Sequence, residues 1–71
     1  MEDKKRQVFR QNLIHYRRMA GLTQTALSEA CGMSRAVVSS WEQGRTMPIK
    51  PHTYGKLARA LGCAVSDLVG R

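Results

Sequence analysis

The sequence is short of acid. Among its 71 residues, five Asp+Glu stand against twelve Lys+Arg, for a formal net charge of +7 and a pI near 10.3. Residues 4 to 18 carry Lys4, Lys5, Arg6, Arg10, Arg17 and Arg18 with no carboxylate among them. A basic balance of this size in a small domain points to a polyanionic partner, nucleic acid ahead of an anionic membrane. The sequence is also short of cysteine. Cys31 and Cys63 are too few for a disulfide framework, and their apolar or small neighbours mark them as reduced, packed thiols. His15 and His52 have no ligand-like spacing to each other or to either cysteine, so no metal site is expected. No Ser/His/Asp or Cys/His pairing stands out as a nucleophile with its base, so an enzyme is not expected. No apolar run is long enough to span a bilayer, and no signal-peptide core follows the charged N-terminus, so a cytoplasmic protein is the default expectation.

The length suits one small domain, 1–71, with residues 1–4 expected to fray. Helical patterning runs through all of it. Phe9, Leu13, Tyr16 and Ala20 give a first helix from about Lys5 to Met19 its inner face, and Gly21 ends it. Thr23 is placed to cap a second helix, Gln24 to Cys31, with Leu27 and either Ala30 or Cys31 turned inward. Gly32 supplies the positive φ at which that helix closes. Ser34 then caps a third helix over about 35–43, closed by Gly44. Two helices separated by only about three residues are the spacing of a helix-turn-helix. On the third helix Val37, Val38 and Trp41 share one side, and Trp41 reads as core rather than as a stacking platform. Arg35, Ala36, Ser39, Ser40 and Gln43 occupy the other side, which is short, polar and free of acid. Pro48 and Pro51 interrupt any helix in the next stretch. A fourth helix follows, from Pro51 or Thr53 to Leu61, with Tyr54, Leu57, Ala58 and Leu61 inside. A fifth, about Val65 to Val69, is expected to bury Val65 and Leu68. Gly55 inside the fourth helix costs roughly 1 kcal/mol against alanine unless close packing requires it. Ile14 lies off the inner face of the first helix.

One set of residues at fixed spacing carries more than any of its members: Leu22-Thr23-Gln24, Leu27, Gly32, Ser34, Val38, Trp41-Glu42 and Gly44. In this set the chain resembles the Cro/repressor-type helix-turn-helix family of phage and bacterial regulators, without a gap. The resemblance extends weakly over nearly the whole chain. Ser28 stands where the family usually has Ala, and its hydroxyl needs a partner. The loop after Gly44 is about one residue longer than the family pattern, and Ala64 replaces the usual Ser cap of the fifth helix.

The resemblance implies an all-α, five-helix domain whose third helix enters the major groove of double-stranded DNA. Ser34, Arg35, Ala36, Ser39 and Ser40 are then the base-reading candidates, with Arg35 able to give two hydrogen bonds to one guanine. Thr23, Gln24, Gln43, Arg45, Thr46 and Lys50 are the phosphate-binding candidates, Gln24 because it sits at a helix N-terminus, where amides and dipole favour an anion. In the family an arginine and a glutamate at the positions of Arg17 and Glu42 pair across the first and third helices. Both residues flank an apolar stripe here, and an inward-leaning charge calls for an opposite partner. The family also implies a homodimer on a partly palindromic operator, acting as a regulator of transcription, most simply a repressor. No cofactor, metal or small-molecule ligand is expected. The alternative is a protein-interaction module, such as an antitoxin or adaptor using the same fold.

Overall fold

The computed structural model describes residues 2–70, five helices and no strand among them. They are α1 (Glu2–Met19), α2 (Gln24–Cys31), α3 (Arg35–Glu42), α4 (Pro51–Leu61) and α5 (Val65–Val69). Helix α1 begins at Glu2, not near Lys5. No Gly or Pro precedes Gly21, so nothing in the sequence halts a helix growing back toward its N-terminus. Met1, expected to fray with its neighbours, lies outside the described residues.

Local chemistry sets the helix ends. Thr23 caps α2, its hydroxyl accepting from the Ala26 amide at 3.0 Å. Gly32 closes that helix at φ 69°, and Met33 N–H then reaches back to the Ser28 carbonyl at 2.8 Å. With the 3.2 Å bond from Gly32 N–H to the Glu29 carbonyl, this contact satisfies carbonyls that a helix C-terminus otherwise leaves open. Ser34 caps α3 through a 3.3 Å bond from the Val37 amide. Gln43 is the C-terminal cap of α3, so the helix is one residue shorter than expected. Ala64 has no side chain to offer α5. Asp67 supplies the missing contact from within the helix, its carboxylate accepting from the Ala64 amide at 2.9 Å. That is one half of a capping box, and α5 starts at Val65 without a Ser cap.

Helix α1 is the spine. It packs against α3 on one side and α5 on the other, while α2 lies between α3 and α4, and α4 touches α5. The core is Phe9 and Leu13 from α1, Leu27 and Cys31 from α2, Val38 and Trp41 from α3, Leu57, Ala58 and Leu61 from α4, and Leu68 from α5. Phe9 sits at its centre, edge-on to Trp41 with ring centroids 6.1 Å apart and to Tyr54 at 5.5 Å. Tyr54 keeps its hydroxyl satisfied by donating to the Pro48 carbonyl at 2.6 Å, which fastens the long loop to α4. Asn12 does the same for α5, donating to the Leu68 carbonyl at 3.0 Å. The Ser28 hydroxyl is buried and donates to the Thr25 carbonyl at 2.7 Å.

Three apolar positions differ from expectation, and a fourth choice, between Ala30 and Cys31, is decided. Ala20 is exposed because α1 ends at Met19 and leaves it in the turn. Val65 is also exposed, since a five-residue helix meets its neighbours along one line, through Leu68. Val37 is 39% exposed, one position off the stripe of Val38 and Trp41. Ala30 faces outward and Cys31 inward.

Gly55 has no packing reason to be glycine. A Cβ built there meets nothing within 4 Å, and the position lies inside α4. Gly55→Ala should therefore stabilise the domain by up to about 1 kcal/mol, by helix propensity and reduced freedom of the unfolded chain. Thermal and urea unfolding of the variant check this; a loss of stability is the opposite result.

Candidate nucleic-acid interface

The outward surface of α3 is led by its cap and first turn. Ser34, Arg35 and Ala36 are all exposed. Behind them Ser39 and Ser40 are half-buried, and their hydroxyls have protein partners. Gln43 donates to Ser39 Oγ at 3.0 Å, and Ser40 Oγ shares a 3.0 Å bond with Thr46 Oγ1. The leading turn therefore presents one long cationic side chain among short ones. The second half of α3 is braced by its own cap residue and by the following loop.

Behind this surface lies a polar chain that begins at an ion pair. Arg17 on α1 meets Glu42 on α3 side-on: Nε donates to Oε2 at 2.5 Å and Nη2 to Oε1 at 3.0 Å. The remaining guanidinium nitrogen, Nη1, donates to the Leu22 carbonyl at 2.8 Å. The side chains are only 15% and 6% exposed. Glu42 Oε1 also accepts from Gln24 Nε2 at 3.0 Å, and the Gln24 carbonyl oxygen lies 3.5 Å from Arg35 Nη1. One connected set thus runs from the α1–α3 contact, through the start of α2, to the first residue of α3.

This set fixes Gln24. One of its amide protons goes to Glu42, so its side chain lies along α3. The capping of α2 by Thr23 uses the amides of Ala26 and Leu27. The first-turn amides of Gln24 and Thr25 have no intrahelical acceptor, as at any helix start, and supply the positive end of the dipole. Arg45 and Thr46 are exposed immediately past Gly44. Gly44 takes φ 76°, and Arg10 and Gln7 of α1 crowd its Cα, so a Cβ there would stand 3.2 Å from Arg10 Cδ. The turn that launches Arg45 thus uses both the left-handed backbone and the missing side chain. Lys50 is exposed and serves as the N-cap position of α4, apart from the α3 cluster.

Two placements beside this face are not specified by the sequence, which marks Val37 as core and Lys5 only as one cation of a basic run. Val37, assigned to the core, instead adds exposed methyls beside Ala36; its place at the edge of the apolar stripe was the available signal. The first turns of α1 come alongside the loop after α3, bringing Lys5 near Arg45 and Thr46. Ile14 is half-buried in an outer cleft of α1 with Arg10, Gln11, His15, Arg18 and Met19.

Among the described residues, no group of three His, Cys, Asp or Glu is placed to hold a metal, and no helix is long and apolar enough to cross a membrane. The two cysteines are free. Burial pushes the Cys31 thiol up, with Lys56 opposing, and burial followed by Asp67 pushes up Cys63. Neither is an activated nucleophile, since it is the thiolate that attacks.

Compared with known proteins, residues 13–68 match a family model described as helix-turn-helix. Searches of curated proteins and of solved structures gave no match.

Proposed function

We propose that this chain, which belongs to the Cro/repressor-type helix-turn-helix family of DNA-binding regulators, is a sequence-specific repressor that seats α3 in the major groove. The single observation that carries the reading is the form of α3. Its leading turn is exposed and free of acid, and the helix is held from behind by the Arg17–Glu42–Gln24 set. The major groove of B-DNA admits one α-helix and displays a distinct donor and acceptor pattern for each base pair. Arg35 reads guanine, Ala36 offers a methyl to thymine, and Ser34, Ser39 and Ser40 act at short range or through water. The cap residue Thr23 and the α2 amides at Gln24 and Thr25, with Gln43, Arg45, Thr46 and Lys50, hold the backbone and set register. With DNA as its partner, the protein works in the cytoplasm.

A single α3 touches too few base pairs to specify a unique site, so the working form is a homodimer on a two-fold operator. Repression then follows from occupancy, by excluding other proteins from the same DNA. Selection of bound duplexes from a random pool, followed by footprinting, tests both parts. The expected result is a partly palindromic motif with half-sites about one helical turn, roughly 34 Å, apart. An asymmetric footprint with one chain per duplex at saturation argues against the dimer. Failure to enrich any motif argues against sequence-specific binding.

A further inference from the structure

The first turns of α1 and the loop after α3 border a groove of about 340 Å³, lined by Lys5, Arg6, Arg45, Thr46, Met47 and Ile49. None of these six residues is acidic. Lys5, Arg45 and Thr46 are exposed. The groove is continuous with the outward surface of α3, because Thr46 shares its hydroxyl bond with Ser40 of that helix. The two walls are held together by packing. One turn beyond Lys5, Phe9 is locked into the core against Trp41, and Arg10 lies against Gly44. The position of Lys5 relative to α3 is therefore fixed by the fold.

We infer that this groove is a second backbone-binding site, in which Lys5 of α1 joins Arg45 in holding two neighbouring phosphates of the duplex beyond the C-terminal end of α3. The inference rests on the major-groove reading above, since a helix seated in that groove carries the sugar-phosphate backbone past its ends. A lysine on a rigid helix beside an arginine on a braced loop gives two cations that converge on one polyanion. Neither cation carries base information, so the contact adds affinity to every sequence alike.

The test is the salt dependence of binding to a random-sequence duplex, read by fluorescence anisotropy. Each phosphate neutralised contributes about 0.9 to the slope of log affinity against log salt. Lys5→Ala should flatten the slope by about one unit, Arg45→Ala by about one, and the double variant by about two. Lys56→Ala, which removes an exposed cation from the separate α2–α4 cleft, should leave the slope nearly unchanged. Lys5 is exposed, and helical circular dichroism checks that its variant folds. A Lys5→Ala slope equal to wild type overturns the inference, as does an equal loss from Lys56→Ala, which would mean that only net charge is being read. If Ile49→Ser weakens binding while Lys5→Ala does not, the groove takes an apolar contact instead, and the inference also fails. Wild-type protein with no salt-dependent binding to any duplex would remove the DNA reading itself, which separates that failure from the failure of this site.

Discussion

Arg17→Ala should cost about 3 kcal/mol of folding free energy, the low end of the range for breaking a buried ion pair. The geometry decides between this class and the near-zero cost of an exposed pair. Glu42 sits with 6% of its side chain exposed, and Arg17 holds both of its oxygens. Truncating Arg17 leaves a buried carboxylate with one remaining donor, the amide of Gln24. It also releases the Leu22 carbonyl, which loses its 2.8 Å bond from Nη1 just where the chain turns from α1 into α2. A 71-residue domain has on the order of 3.5–10 kcal/mol in total, so this single loss should shift most of the denaturation curve. Glu42→Ala should do similar harm by stranding the guanidinium. The double replacement Arg17→Met with Glu42→Leu should be less damaging than either single truncation, because two apolar side chains strand no charge. Urea denaturation of the three variants checks the set. A loss below about 0.5 kcal/mol for Arg17→Ala would place the pair in the exposed class.

What the sequence reveals is decided by how local the chemistry is. Thr23, Ser34 and Gly32 act within one turn of chain, so the two helices and the tight break between them are readable from the residues alone. The core stripe of Phe9, Leu13, Leu27, Val38, Trp41, Leu57 and Leu68 is also readable, because each residue lies at the middle of its apolar arc. Residues at the edge of an arc are not. Val37 and Val65 have the chemistry of core residues, but their exposure depends on how far the neighbouring helix reaches. Gln24 shows the same limit at the candidate site. Its position at a helix start is written in the sequence, whereas the turn of its amide onto Glu42 depends on a residue eighteen positions away. The placing of Lys5 on the same groove as Arg45 is less legible still, since it follows from the packing of α1 against α3. Gly55 misleads in the opposite direction, because a glycine inside a helix suggests a close approach that the fold does not make.

The remaining large effect concerns how sequence is read, and it sets Arg35 against Arg45. Both are exposed cations within one short stretch, so net charge predicts the same behaviour for both. Their positions predict different behaviour. Arg35 is the first residue of α3, on the leading turn, with its guanidinium lying against the Gln24 carbonyl oxygen at 3.5 Å. Gln24 is itself held by Glu42, so the neighbour that Arg35 lies against is fixed in place. Arg45 lies beyond Gly44, where a groove-seated helix leaves it beside the backbone. A bidentate arginine–guanine contact discriminates by about 1–3 kcal/mol, a factor of roughly 5 to 150 in affinity. Arg35→Ala should lose that factor on a selected site, relax preference at one base position, and lose far less on scrambled DNA. Arg45→Ala should weaken selected and scrambled duplexes by the same factor and flatten the salt plot by about one unit. Titrating both variants against both duplexes at several salt concentrations separates the two roles. Equal proportional losses on every sequence would reduce Arg35 to a charge, and base reading would then have to come from Ala36, Val37 and the serines, or from the shape of the DNA.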